Sequence, residues 1–248
     1  MAMAKRLLDR QASLLDYLSS TAAMFGPQTN APADPALRAL DAGVLRLQAR
    51  FICNKRMEKI VALFPRTLDI MGVAQRAVLR EFVETSRSTQ RSSLANAREF
   101  HAFLARRWRR SRPRPAYLPD VAACELAMAE VCHVAEDHDG RARDGKRAGP
   151  RRAIRRRRNV APLRCAYDVR AMLDAAPPDV VPRRRAISLV VTTSPDRREV
   201  RIVQATSRLV DILSRLRDWT APSVLDTFGD RETLLADLAA SKFTEERS

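Results

Sequence analysis

Glycine is scarce in this chain, with 7 in 248 residues. No Gly-rich loop that could cradle a phosphate is present, and no Gly-x-Ser-x-Gly elbow, so neither of those chemistries has its usual scaffold. Aromatic residues make up only 5% of the chain, so its 46% of hydrophobic residues predicts a mostly aliphatic, alanine-rich core. The four cysteines, Cys53, Cys124, Cys132 and Cys165, show no Cys-x-x-Cys spacing. A disulfide framework is not expected of such a chain. Cys124 and Cys132 stand eight residues apart, roughly 12 Å along a helix axis, too far to bridge or to share one ion. No apolar run approaches the ~20 residues of a membrane helix. The N-terminus turns charged within its first few residues and does not read as a secretory signal. The expected compartment is the cytoplasm, with no membrane partner.

Histidine is equally sparse: His101, His133 and His138. Cys132 and His133 are adjacent, so on a helix they point about 100° apart and cannot form a Cys–His catalytic pair. Glu130, His133 and Asp137 lie at helical spacing and could face one ion. Ordinary ion pairing accounts for them more simply. No metal, no other cofactor and no catalytic residue is expected on this chain, which does not read as an enzyme.

What is abundant is positive charge: 45 Lys and Arg against 29 Asp and Glu, a net charge of +16. Such charge attracts nucleic acid, acidic proteins or anionic surfaces without choosing among them.

The chain is arranged around residues 117–137, where Val121, Cys124, Met128, Val131, Cys132 and Ala135 recur at helical spacing after Pro119. Leu118, Ala122, Leu126 and Ala129 add apolar surface on other sides. A helix apolar on most sides predicts a central element with others packed around it. Residues 1–34 read as a helical extension and linker, with Leu7, Leu8, Leu14, Leu15 and Leu18 as its stripe. From residue 35, Leu37, Leu40, Val44, Leu47 and Phe51 step by three and four, which predicts an amphipathic helix. Met57, Ile60, Val61 and Phe64 continue it to Pro65. Gly72 closes a short segment holding Leu68, Ile70 and Met71. Val78, Leu79, Phe82 and Val83 mark another helix. Phe100, Phe103, Leu104 and Trp108 mark the next, with Asn96 as its cap. Residues 35–137 form one helical domain on this reading.

Residues 141–158 hold ten basic residues, one acid, two glycines and a proline. Residues 138–158 therefore read as an arginine-rich linker. Beyond it, 186–193 is rich in β-branched residues, 194–197 has turn chemistry and 199–204 alternates, which predicts a hairpin. Helical spacing returns at Leu209, Ile212, Leu213 and Leu216, and again at Leu234, Leu235, Leu238 and Phe243. The fold class is α+β: an all-helical N-terminal domain, then at 159–248 a small domain with a hairpin-containing sheet and two helices on one side. An exposed edge strand, at 186–193 or 199–204, would let an extended peptide add to the sheet. Ile187, Leu189, Val191, Val200 and Ile202 are the candidate peptide-binding residues.

Several blocks resemble a bacterial family of DNA-binding-domain proteins that accompany multinuclear non-heme iron-dependent oxidative enzymes. They are 45–48 (Leu-Arg-Leu-Gln), 51–54 (Phe-Ile-Cys-Asn) and 60–65 (Ile-Val-Ala-Leu-Phe-Pro). With them stand 100–104 (Phe-His-Ala-Phe-Leu), 117–126 (Tyr-Leu-Pro-Asp-Val-Ala-Ala-Cys-Glu-Leu) and 162–169 (Pro-Leu-Arg-Cys-Ala-Tyr-Asp-Val). The family's central-helix Trp is absent here, with residues 126–128 (Leu-Ala-Met) in its place, and Phe51 replaces its Tyr before Asn54. The resemblance implies a non-catalytic partner subunit in a heterodimer with an iron-dependent enzyme that modifies cysteine-containing ribosomally made peptides. This subunit would bind the precursor's leader, and the iron ligands would belong to the enzyme. Tyr117, Asp120, Glu125 and His133 would then support the partner interface. The alternative is a nucleic-acid-binding transcriptional regulator, with 151–158 as a phosphate-contacting arm beside a winged-helix-like C-terminal domain.

Overall fold

The structure is a computed structural model. It describes residues 2–18, 38, 40–86, 92–137, 153–173, 180–194 and 199–247, with backbone alone at 2–7 and 134–137. The chain divides into two units, 1–111 and 112–248.

The first unit is helical: α1 (Ala2–Leu18), α2 (Ala42–Leu63), α3 (Pro65–Met71), a 3-10 turn (Gly72–Ala74), α4 (Gln75–Thr85) and α5 (Ser93–Arg110). Asp41 caps α2, its Oδ1 accepting from the Gly43 and Val44 N–H groups at 2.7 and 3.0 Å. Pro65 opens α3, where its missing N–H costs nothing. Gly72 ends it at φ 55°, a left-handed conformation that a side chain would strain. The cap of α5 is Ser92, which accepts from Ala95 N–H. Asn96, expected to be the cap, lies one turn inside, is buried, and accepts from Arg56 Nε at 2.8 Å. Asn and Ser both suit a cap, and only the path of the chain into the helix separates them.

Phe64, Phe82 and Phe100 are buried at the centre of this unit, with ring centroids 5.1–5.2 Å apart in edge-to-face contacts. Phe103 joins them at 5.5 Å from Phe82. The Arg56 guanidinium lies 4.6 Å from the Phe82 ring. The buried residues are mostly aliphatic, as composition predicts, and the few buried aromatics are concentrated here.

A second correction concerns α2. The helix begins at Ala42, so Leu40, 48% exposed, precedes its cap and Leu37 lies outside the described residues; the rest of the expected stripe faces outward, with Val44 54% exposed, Leu47 69% and Phe51 61%. The buried row is Leu45, Ala49, Cys53 and Ile60. The helix carries apolar residues on two sides, and the strictly spaced side is not the core side.

The second unit begins with the central helix, α6 (Leu118–Asp137). It continues through β1 (Ala153–Arg156), β2 (Val160–Tyr167), a short helix α7 (Arg170–Leu173), β3 (Arg184–Thr193), β4 (Val200–Ala205) and α8 (Ser207–Arg215). A 3-10 stretch (Pro222–Phe228), α9 (Arg231–Ala240) and β5 (Thr244–Arg247) complete it. One sheet has the antiparallel order β2-β3-β4, and a second pairs β1 with β5. The hairpin is present as predicted, closing from Thr193↔Val200. Ser194 N–H donates to the Glu199 carbonyl at 2.7 Å. The expected turn residues 195–197 lie outside the described residues.

The alternation of β3 divides the core. Val191 joins Ala161, Ala127 and Val131 on the α6 face. Val190 joins Val160, Val210, Leu213 and Leu216 on the α8 face. Helices therefore cover both faces of the sheet, where one was expected, because α6 belongs with the sheet rather than with residues 35–111. The linker is corrected likewise. Residues 153–156 are strand β1, with Ala153 and Ile154 fully buried, while 138–152 lie outside the described residues. Among the described residues no helix is long and apolar enough to cross a membrane.

Candidate functional site

The three-stranded sheet decides which strand can accept a peptide. β3 is the middle strand, paired with β2 on one side and β4 on the other. Its Ile187, Leu189 and Val191 are buried under α6, so the expectation that they contact a peptide is corrected. Among the described residues β4 pairs with β3 alone and forms an edge. Val200 and Ile202, the other two candidates, are half-buried on it.

Beside that edge runs a groove of about 780 Å³. Val200, Ile202, Met128, Leu173 and Val180 supply its apolar lining, and Asp168, Arg170, Arg183 and Arg185 its charged lining. Arg170 donates to both carboxylate oxygens of Asp168, at 2.8 and 2.7 Å, and reaches Gln204 on β4 at 3.4 Å. The hydrogen bond from Arg170 holds the Asp168 carboxyl below the usual carboxylate range, and the same bond raises the Arg170 guanidinium. That pair is ionised and engaged at neutral pH. Arg183 and Arg185 are exposed at the rim. The groove thus offers unpaired strand backbone, an apolar wall and an excess of positive charge within one residue-scale span. Arg170, Arg183 and Arg185 escaped sequence reading because arginine is everywhere in this chain; their nearness to β4 is tertiary.

The residues expected at a partner interface have internal roles. Asp120 Oδ2 accepts from the Ala166 and Tyr167 N–H groups at 2.9 and 2.8 Å. Those groups lie where the β2–β3 register shifts between Cys165 and Tyr167, so the carboxylate satisfies the bulge's backbone. Burial raises the Asp120 carboxyl above its ordinary value, and the two backbone bonds partly offset this. Tyr117 meets Tyr167 at 6.1 Å, edge to face. Glu125 is 4% exposed and turned into the unit. His133 is half-buried on α6, one turn from Glu130. Tyr117 and Asp120 therefore build the α6–sheet junction. The sequence marked them as special, and the junction accounts for that.

The arginine arm is corrected in the same way. Arg155 pairs with Glu245 and lies 4.3 Å from the Trp219 ring. Arg157 Nε donates to the Thr244 carbonyl at 3.1 Å. Burial lowers the Arg156 guanidinium from its ordinary value, with Glu130 opposing the shift. Three of the expected phosphate-contacting arginines thus tie β1 to its own unit.

Among the described residues no three His, Cys, Asp or Glu side chains converge as a metal site. The Asp137 side chain lies outside the described residues. Cys124 and Cys165 meet across the α6–β2 contact with sulfurs 4.0 Å apart. That contact and burial push the Cys124 thiol well above its usual range, which removes nucleophilic character. No protein-family model and no curated protein sequence matches this chain.

Proposed function

We propose that this protein is a non-catalytic peptide-capturing subunit, which presents the leader of a ribosomally made precursor to an iron-dependent enzyme that modifies cysteines. The observation that carries the reading is the β4 edge beside its apolar, arginine-rimmed groove. An extended segment laid along β4 gains backbone hydrogen bonds, and its alternate side chains enter the groove against Val200, Ile202 and Met128. Arg183 and Arg185 favour a segment carrying Asp or Glu. The enzyme and the precursor come from the sequence resemblance; the means of capture comes from the sheet.

The test begins with purification from the native host in moderate salt, followed by mass spectrometry. An iron-containing enzyme and a small peptide are the expected companions. Calorimetric titration of that peptide then examines the edge. N-methylation at alternate backbone positions should abolish binding in one register and spare it in the other, and R183E with R185E should weaken it. Recovery of nucleic acid alone, released as salt rises, would replace this reading with the regulator.

A further inference from the structure

We infer that the exposed stripe of α2, running Val44, Leu47 and Phe51, is a docking seam for one amphipathic helix of a partner protein, whose own apolar stripe is edged by Asp and Glu.

The stripe is not surplus core. The opposite side of α2 already packs inward through Leu45, Ala49, Cys53 and Ile60. The three outward residues stay 54–69% exposed, although each is large and apolar. Their steps of three and four are those of a helix–helix seam. Around the axis they cover an arc of about 60°. That is narrower than the face of at least about 100° that a globular core or a membrane surface uses. Their length, about 10 Å, matches some two turns of a facing helix. Asn54 and Glu58 follow on the same row and end the apolar run.

Charge selects the occupant. Arg50 edges the stripe on one side, and Lys55, one turn past Phe51, continues the other; both are exposed. The Lys55 ammonium sits 5.7 Å from the Phe51 ring centroid and 2.8 Å from Glu58. A second copy of this chain would bring the same basic edges against these, within a net charge of +16. A helix edged by carboxylates meets them with opposite sign. This inference stands apart from the peptide reading, since the seam and the β4 edge lie in different units.

The test uses the full chain and two labelled designed peptides of about 20 residues, long enough to hold a helix. Both carry Leu at the seam spacing; one has Glu at the edges and the other Lys. Fluorescence anisotropy should show saturable binding of the Glu-edged peptide, weakening as salt rises, and little of the Lys-edged one. L47D should weaken binding about tenfold, the effect of removing one buried Leu from the seam. Its thermal melt and its affinity for the precursor peptide should stay unchanged, so loss of either activity is read separately. Equal affinity for both peptides overturns the proposal, as does no saturable binding or full affinity in L47D. So do a dimer in sedimentation that L47D dissolves, and binding of the stripe to anionic vesicles in place of the peptide.

Discussion

The two units answer the same packing problem with different means. The helical unit gathers Phe64, Phe82, Phe100 and Phe103 into one aromatic centre and leaves a second apolar row of α2 outside. The sheet unit uses aliphatic residues, buries both faces of its sheet, and leaves an edge of backbone outside. One unit thus exposes side chains and the other exposes N–H and C=O groups. Each exposed set has its natural complement: a helix for the first, a strand for the second.

The comparison breaks first at its cores. Phe100→Ala should cost about 4 kcal/mol and Leu189→Ala about 3 kcal/mol, from lost burial and the cavity left behind. Hydrogen exchange should rise within 42–110 for the first and within 160–240 for the second. Equal acceleration everywhere in both variants would mean that the two cores are one cooperative structure. The two rows of α2 come next. Leu45→Ala should lose about 3 kcal/mol in a denaturant titration. Leu47→Ala should stay within about 0.5 kcal/mol, as an exposed site should. A reversal would return the stripe to the core.

A smaller effect sharpens the sheet unit. Asp120→Ala strands two N–H groups at the β2 bulge and should cost about 2 kcal/mol. Asp120→Asn keeps an acceptor there and should cost less. The two proteins should also differ with pH. Burial raises the folded-state pKa of Asp120, so its contribution is fully present below the ordinary carboxylate range and is lost as pH rises through the raised value. The stability gap of wild type over Asp120→Asn should therefore narrow, or change sign, as pH rises from about 4. A gap that widened with pH would mean that the two backbone bonds outweigh burial. The smallest effect is chemical. Cys132 is exposed, whereas Cys53, Cys124 and Cys165 are buried. Native alkylation read by mass spectrometry should label Cys132 first, and labelling of Cys124 at a similar rate would mean that the α6–β2 contact opens readily.

Much of the element order was legible without coordinates. Gly72 ended α3 because its positive φ is a local property of one residue. The hairpin was legible because alternation and turn residues are neighbours in sequence. The groove was legible in half: Val200 and Ile202 could be named, whereas Ile187, Leu189 and Val191 could not be told from them. All five alternate in β-rich runs, and only the middle position of β3, with α6 packed over it, hides three of them. The arginines at 155–157 looked like a solvated run because their partners, Trp219, Thr244 and Glu245, lie 60 or more positions away.

The sequence by itself determined the α+β class, the kinds of element, and the closure of individual turns, since each depends on dihedral preference and periodicity within a few residues. The tertiary structure alone decided which apolar row of α2 faces inward, which strand is the edge, that α6 belongs to the sheet, and which arginines remain at a groove. Periodicity states that an element has an apolar side; it does not state what will cover that side. Burial is settled by elements distant in sequence competing for the same surface, and among the described residues that competition leaves a row of α2 exposed and β4 at an edge of its sheet.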